Sequence, residues 1–153
     1  MPPTRERLET LTATCRRAGV SVTPQRLAVY GALCESMDHP SPEVLHARLL
    51  ATMPTLSLAT VYKTLHLFAQ LGVATEVSVA GDNSRRFDAN GDRHHHLVCE
   101  KCHKVVDFYD TALDEVAVPK RLVSQQQTGG FHPKSVHVQV LGLCADCGGS
   151  ARR

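Results

Sequence analysis

Four of the six cysteines in this 153-residue chain fall in two C-x2-C pairs, Cys99 with Cys102 and Cys144 with Cys147, with 41 residues between the pairs. Four thiolates at paired spacing suit a tetrahedral Zn²⁺ site of the closed, structural kind, which leaves no open position for chemistry. Two redox pairs or ordinary buried cysteines are the competing readings, and two such pairs in one short region favour zinc. Cys15 and Cys34 lie on apolar helical stripes with no second ligand near them in sequence, and they read as core residues.

The first cysteine pair sits inside a denser cluster. Residues 86–108, RFDANGDRHHHLVCEKCHKVVDF, hold four histidines, two cysteines and three aspartates. In a strand, His94 and His96 project to one face and His95 to the other. Asp88 precedes them across a loop, and Asp107 follows on the next expected strand. Imidazoles with carboxylates suit Fe²⁺, Mn²⁺ or Zn²⁺ rather than a soft, thiophilic ion. The bland alternative is a solvated polar edge with unrelated histidines. His39, in MDHPSPEVL, reads on its own as a surface residue. It gains a role if the second cluster takes a ligand from the N-terminal half, because metal occupancy would then set the angle between the halves.

These side chains need elements to hold them. Residues 1–77 read mostly as helices. Thr4 is placed to cap a helix carrying Leu8, Leu11 and Cys15 and ending near Gly19. TPQRLAVYGALC opens with Thr23 as cap and Pro24 at the first helical position, followed by Leu27, Tyr30, Leu33 and Cys34 at helical spacing. SPEVLHARLLATM repeats the device with Ser41, Pro42 and Glu43, the last near the positive end of the helix dipole. SLATVYKTLHLFAQLG has Ser57 as cap, an apolar stripe of Val61, Leu65, Phe68 and Leu71, and Gly72 as terminator. The alternating Val73, Thr75, Val77 and Val79 and a Gly-Asp-Asn-Ser turn then suggest a two-stranded wing. That order fits a winged helix-turn-helix, and from pattern alone it fits a helical bundle with an unrelated hairpin equally well.

Beyond residue 87 the character changes. HHHLVCEKCHKVVDFY and HPKSVHVQVLGLC read as short strands, with Val136, Val138 and Val140 alternating in the second. The intervening DTALDEVAVPKRLVSQQQTG reads as a helix that Pro119 shortens or kinks. So small a unit buries little apolar surface and needs a metal or a second subunit to be stable. The expected organisation is α+β: an N-terminal winged-helix domain and hinge over residues 1–86, then a small α/β metal-binding dimerisation domain over 87–153.

Composition adds limits. The net charge is +2, and division after Arg86 leaves nine Lys/Arg against seven Asp/Glu, then eight against eight. Any nucleic-acid role must therefore rest on local placement of basic residues. No apolar run approaches the ~20 residues that span a bilayer, and MPPTRERLET lacks the apolar core of a secretory signal, so a cytoplasmic location without membrane contact is expected.

TPQR, HPSPEVL, SLATVYKTLHLF, RFD, HHHLVCEKC, VVDF and LCADC occur in this order in the ferric uptake regulator (Fur) family, which residues 5–148 resemble. The resemblance implies a homodimeric, metal-dependent transcriptional regulator on double-stranded DNA with a palindromic operator, and not an enzyme. It places the regulatory Fe²⁺ or Mn²⁺ site on His39, Asp88, His94, His96 and Asp107, one per subunit. The structural zinc falls on Cys99, Cys102, Cys144 and Cys147. The helix with Ala59, Thr60, Tyr62 and Lys63 matches the family's DNA-recognition helix, with Arg16, Arg17 and Arg26 as phosphate contacts.

Asp107 stands where iron-uptake regulators usually carry Glu, and in this it resembles the peroxide-sensing PerR branch. The resemblance then implies repression relieved by iron-catalysed oxidation of His39 or His94. A further site of some iron regulators is expected to be absent or altered, since His95 and Val136 occupy two of its positions and His137 is displaced by one. The zinc-uptake branch brings a cysteine to its sensing site, and no cysteine beyond the four of the zinc set lies nearby. Three alternatives remain open: an iron- or manganese-uptake repressor without peroxide sensing, a metalloenzyme whose His/Asp site activates water, and a zinc-stabilised dimerisation module with no metal-sensing role.

Overall fold

The computed structural model describes residues 5–79, 84–115 and 138–149. The Thr4 cap, the centre of the Gly-Asp-Asn-Ser turn, Pro119 with most of its expected helix, Val136 and His137 lie outside them. The chain divides into two compact units, Met1–Gly91 and Asp92–Arg153. The division falls at Gly91 rather than after Arg86, because the strand Arg86–Asp88 is hydrogen-bonded within the first unit.

The first unit is a winged helix-turn-helix preceded by one further helix. It runs α1 (Arg5–Arg17), α2 (Pro24–Glu35), α3 (Pro42–Leu49) and α4 (Leu58–Gln70), then the antiparallel pair β1 (Thr75–Val77) and β2 (Arg86–Asp88). The expected caps form. The Thr23 hydroxyl accepts from Arg26 N at 3.3 Å, Ser41 from Val44 N at 3.4 Å and Ser57 from Thr60 N at 3.2 Å. Each satisfies an amide that the first helical turn leaves without a partner. Gly19 and Gly72 take φ of 68° and 70°, and Val20 and Val73 donate back to Cys15 O and Phe68 O, which turns the chain off α1 and α4.

The core of this unit gathers Leu11, Cys15, Val29, Tyr30, Leu33, Leu45, Val61, Leu65, Phe68 and Phe87. Tyr30 meets Phe68 edge-on, with centroids 5.6 Å apart. Cys15 and Cys34 are buried as core, as expected. One expectation fails here. Leu27 is 37% exposed and Val29 is fully buried, so the buried stripe of α2 runs through Val29, Tyr30, Leu33 and Cys34. α2 is packed on more than one side, by α3, α4 and β2, and a single helical stripe does not reveal that.

The second unit is a three-stranded sheet in the order β4-β3-β5. It is built from β3 (His95–Cys99), β4 (Val105–Phe108) and β5 (Gln139–Gly142), with the single-turn helices α5 (Thr111–Asp114) and α6 (Ala145–Gly148). β3 pairs antiparallel with β4 and parallel with β5. No helix among the described residues is long and apolar enough to cross a membrane.

Candidate metal centres and nucleic-acid face

Cys99 ends β3, and its carbonyl accepts from His103 N at 2.9 Å, closing a turn in which His103 takes φ 59°. That turn brings Cys102 back beside Cys99. The parallel pairing of β3 with β5, with Cys99 opposite Gly142, carries Cys144 and Cys147 to the same end of the sheet. The four sulfurs all lie within 4.8 Å of one another, and Cys102 Sγ is 3.6 Å from Cys144 Sγ. A tetrahedron with Zn–S of about 2.3 Å has edges of about 3.8 Å, so the set fits Zn²⁺. Backbone amides of Cys144 and Cys102 directed at Cys99 draw its thiol down to about 6, the first at 3.4 Å from its sulfur. Side-chain hydrogen bonds with Cys102 and then Cys144 push the Cys147 thiol up to about 12. One cysteine is thus predisposed to be a thiolate, and a cation must draw the proton from another.

The second cluster of this unit follows from strand register. His96 stands opposite Asp107 in the β3–β4 ladder, so both side chains share a face. His94, two residues before His96, reaches the same face. Its Nε2 is 3.1 Å from His96 Nε2, and Asp107 Oδ1 lies 3.8 Å from His94 Nε2 and 3.6 Å from His96 Nε2. Two ring nitrogens bound at about 2.1 Å to one cation stand about 3.0–3.4 Å apart in octahedral or tetrahedral geometry, which fits this spacing. His94 Nδ1 is 2.7 Å from the carbonyl of Asp92, which fixes the ring and leaves Nε2 for the cluster. His95 points away, as the alternation requires, to Asp114 Oδ1 at 3.3 Å, where Arg93 Nε also lies at 3.2 Å.

In the first unit, Phe87 N donates to Pro40 O at 3.2 Å and ties the loop before α3 to β2. This brings His39 Nε2 within 3.8 Å of Asp88 Oδ2, and both residues are buried. Asp88 Oδ1 accepts from Asn90 N at 2.7 Å. A buried imidazole beside a buried carboxylate suits a hard or borderline divalent cation.

The residues of the expected nucleic-acid face lie on or beside α1, α2 and α4. Ala59 and Lys63 are exposed, and Thr60 is partly buried with its hydroxyl 2.8 Å from that of Ser57. The Tyr62 hydroxyl donates to the Glu43 carboxylate of α3; this lowers the Glu43 carboxyl and raises the Tyr62 phenol. Tyr62 itself is partly exposed, not core. Arg16 and Arg17 are exposed at the end of α1, with Arg17 Nη2 bonded to Thr14 Oγ1 at 3.2 Å, and Arg26 donates to the carbonyl of Ser21. From its place in the sequence Glu43 has only a helix-dipole role. Its bond to Tyr62 spans 19 positions between two helices, and no local pattern encodes it.

Residues 17–140 match the ferric uptake regulator family. The peroxide-responsive repressor PerR of Staphylococcus epidermidis is 38% identical over 140 residues, 92% of this chain and 89% of that protein. The solved structure of the Campylobacter jejuni peroxide stress regulator is 28% identical, with a TM-score of 0.65 over 92% of this chain and 98% of that one. The Helicobacter pylori ferric uptake regulator Fur has a TM-score of 0.73 over 96% of both chains, and at 20% identity it speaks for the fold alone. Family match, fold and site chemistry agree: the chain belongs to the ferric uptake regulator family.

Proposed function

We propose that this chain is a cytoplasmic, metal-dependent transcriptional repressor that binds a palindromic operator as a homodimer and senses hydrogen peroxide. The observation that carries the reading is the convergence of His94, His96 and Asp107 on one sheet face, with a second pair, His39 and Asp88, preassembled in the winged-helix unit. Together the five would hold one Fe²⁺ or Mn²⁺, and Cys99, Cys102, Cys144 and Cys147 one structural Zn²⁺. Because the five ligands come from both units, cation binding would draw the units into the arrangement that binds DNA. Tyr62 and the backbone-close Ala59 and Thr60 would meet base edges, and Lys63, Arg16, Arg17 and Arg26 the phosphates.

When bound, Fe²⁺ would activate H₂O₂ so that one peroxide oxygen passes to a ligand ring and the other leaves as water, the ring giving up the two electrons that the peroxide takes; Mn²⁺ would support DNA binding without that chemistry. His39 or His94 would be that ring, the oxidised ring would hold the cation less well, and repression would end. Asp107 in place of Glu and the 38% identity to a peroxide-responsive repressor support this branch over an iron- or manganese-uptake repressor. In the sheet of the second unit Leu97, Val106 and Val140 lie side by side in register, 42%, 42% and 44% exposed, and this apolar face would receive a second copy.

The test loads zinc-containing protein anaerobically with Fe²⁺ or Mn²⁺, adds low H₂O₂ and measures peptide masses and operator affinity. One oxygen on the peptide holding His39 or His94, with iron only and with loss of DNA binding, is expected. Metal-dependent DNA binding that survives peroxide without oxygen gain refutes the sensing step and leaves a metal-uptake repressor.

A further inference from the structure

We infer that Arg48 is a positioning residue for His39: from α3 it grips the carboxylate of Asp38 and so holds His39 in the left-handed turn that brings its ring to Asp88. The inference rests on the reading of His39 as a regulatory-metal ligand. His39 has φ 48°, a region that side-chain-bearing residues seldom adopt. It also precedes Pro40, and a residue before proline prefers extended backbone. Such a conformation persists only where its neighbours over-determine it. After His39, Pro40 is fully buried and its carbonyl accepts from Phe87 N. Before it, Arg48 Nη2 lies 2.6 Å from Asp38 Oδ2 and Nη1 3.2 Å from Asp38 Oδ1, a two-pronged grip, and Nη1 also donates to Ser36 Oγ at 2.8 Å. Ser36 in turn is bonded to Ala32 O at 2.7 Å, so the exit of α2, the loop and α3 form one braced unit.

The Arg48 and Asp38 side chains are 43% and 56% exposed, and an isolated exposed ion pair adds little to global stability. A planar fork that fixes a turn acts differently: it raises the fraction of molecules in which His39 is ready to bind, and apparent affinity scales with that fraction. Lysine supplies the charge without the fork.

The experiment compares wild type, Arg48→Gln, Arg48→Lys, Asp38→Ala, the Arg48→Gln/Asp38→Ala double variant and His39→Ala by Mn²⁺ titration, thermal unfolding and histidine ring NMR of the zinc-containing, manganese-free protein. Arg48→Gln and Asp38→Ala are each expected to weaken Mn²⁺ binding about tenfold, the scale set by groups that orient a ligand, with the double variant no worse than either single one. The melting temperature is expected to stay put, the His39 ring signal to shift, and Arg48→Lys to fall between wild type and Arg48→Gln. Unchanged Mn²⁺ affinity and an unmoved His39 signal in Arg48→Gln, with a clear loss in His39→Ala, overturn the inference alone. Unchanged affinity in His39→Ala strikes instead at the reading of His39 as a ligand.

Discussion

Replacing Cys102 by alanine separates two accounts of the same side chain by a large margin. Cys102 is exposed on the turn after β3. As an ordinary surface residue its loss changes stability by no more than about 0.5 kcal/mol. As one of four sulfurs on Zn²⁺ it carries a share of a binding free energy of about 10–16 kcal/mol, or about 3 kcal/mol per ligand if shared evenly. The second unit has few other resources: its buried apolar side chains among the described residues are Val98, Cys99 and Val105. For a domain of this size each kcal/mol moves the midpoint by about 4–8 °C, so a fall of at least ~12 °C is expected for the unfolding step of this unit. Elemental analysis and thermal unfolding, each with and without a strong chelator, read the result. Zinc binding at these thiols also depends on pH. Zinc must displace the proton of Cys147, whose thiol sits up at about 12, whereas Cys99 at about 6 is already mostly ionised at neutral pH. Zinc affinity therefore rises with pH, and a chelator strips the metal faster at pH 6 than at pH 8. Cys34→Ala, in the winged-helix core, retains its zinc. A Cys102→Ala protein with one zinc per chain and a wild-type midpoint would refute the four-sulfur site.

Phe87→Ala removes a fully buried ring from the first unit and is expected to cost about 3–5 kcal/mol in denaturant unfolding, with unchanged zinc content. Glu43→Gln removes the carboxylate that raises the Tyr62 phenol, so one of the three tyrosines titrates at lower pH in absorbance at 295 nm. In the wild type this bond persists at neutral pH. It is lost as pH falls through the depressed Glu43 value or rises through the elevated Tyr62 value. Leu97→Lys places a charge in the exposed apolar face and is expected to shift the sedimentation profile to monomer; an unaltered dimer would assign dimerisation to another surface.

The local parts of this protein were legible because local chemistry makes them. Thr23, Ser41 and Ser57 cap their helices through amides three residues on, and Gly72 ends α4 in the left-handed region. His94 and His96 share a face because side chains alternate along an extended chain, and His95 points away for the same reason. Two C-x2-C pairs name zinc through the preference of that ion for sulfur. Leu27 shows the limit within a single helix, since spacing identifies a stripe and not the number of neighbours around it.

Sequence by itself therefore determined the donor types, their pairing within a few residues, the helix starts and the order of elements. Only tertiary structure decided which distant groups meet. The 41 residues between the cysteine pairs do not say that Cys99 of β3 stands opposite Gly142 of β5, and that register is what gathers four sulfurs at one end of the sheet. Nothing near His39 announces that a hydrogen bond from Phe87 to Pro40 brings it to Asp88, or that Arg48 grips the residue before it. Capping and alternation act within a few bonds of the chain, so their signals are written locally. Strand register and inter-helix bridges arise from packing the whole unit, and each depends on residues that sequence keeps far apart.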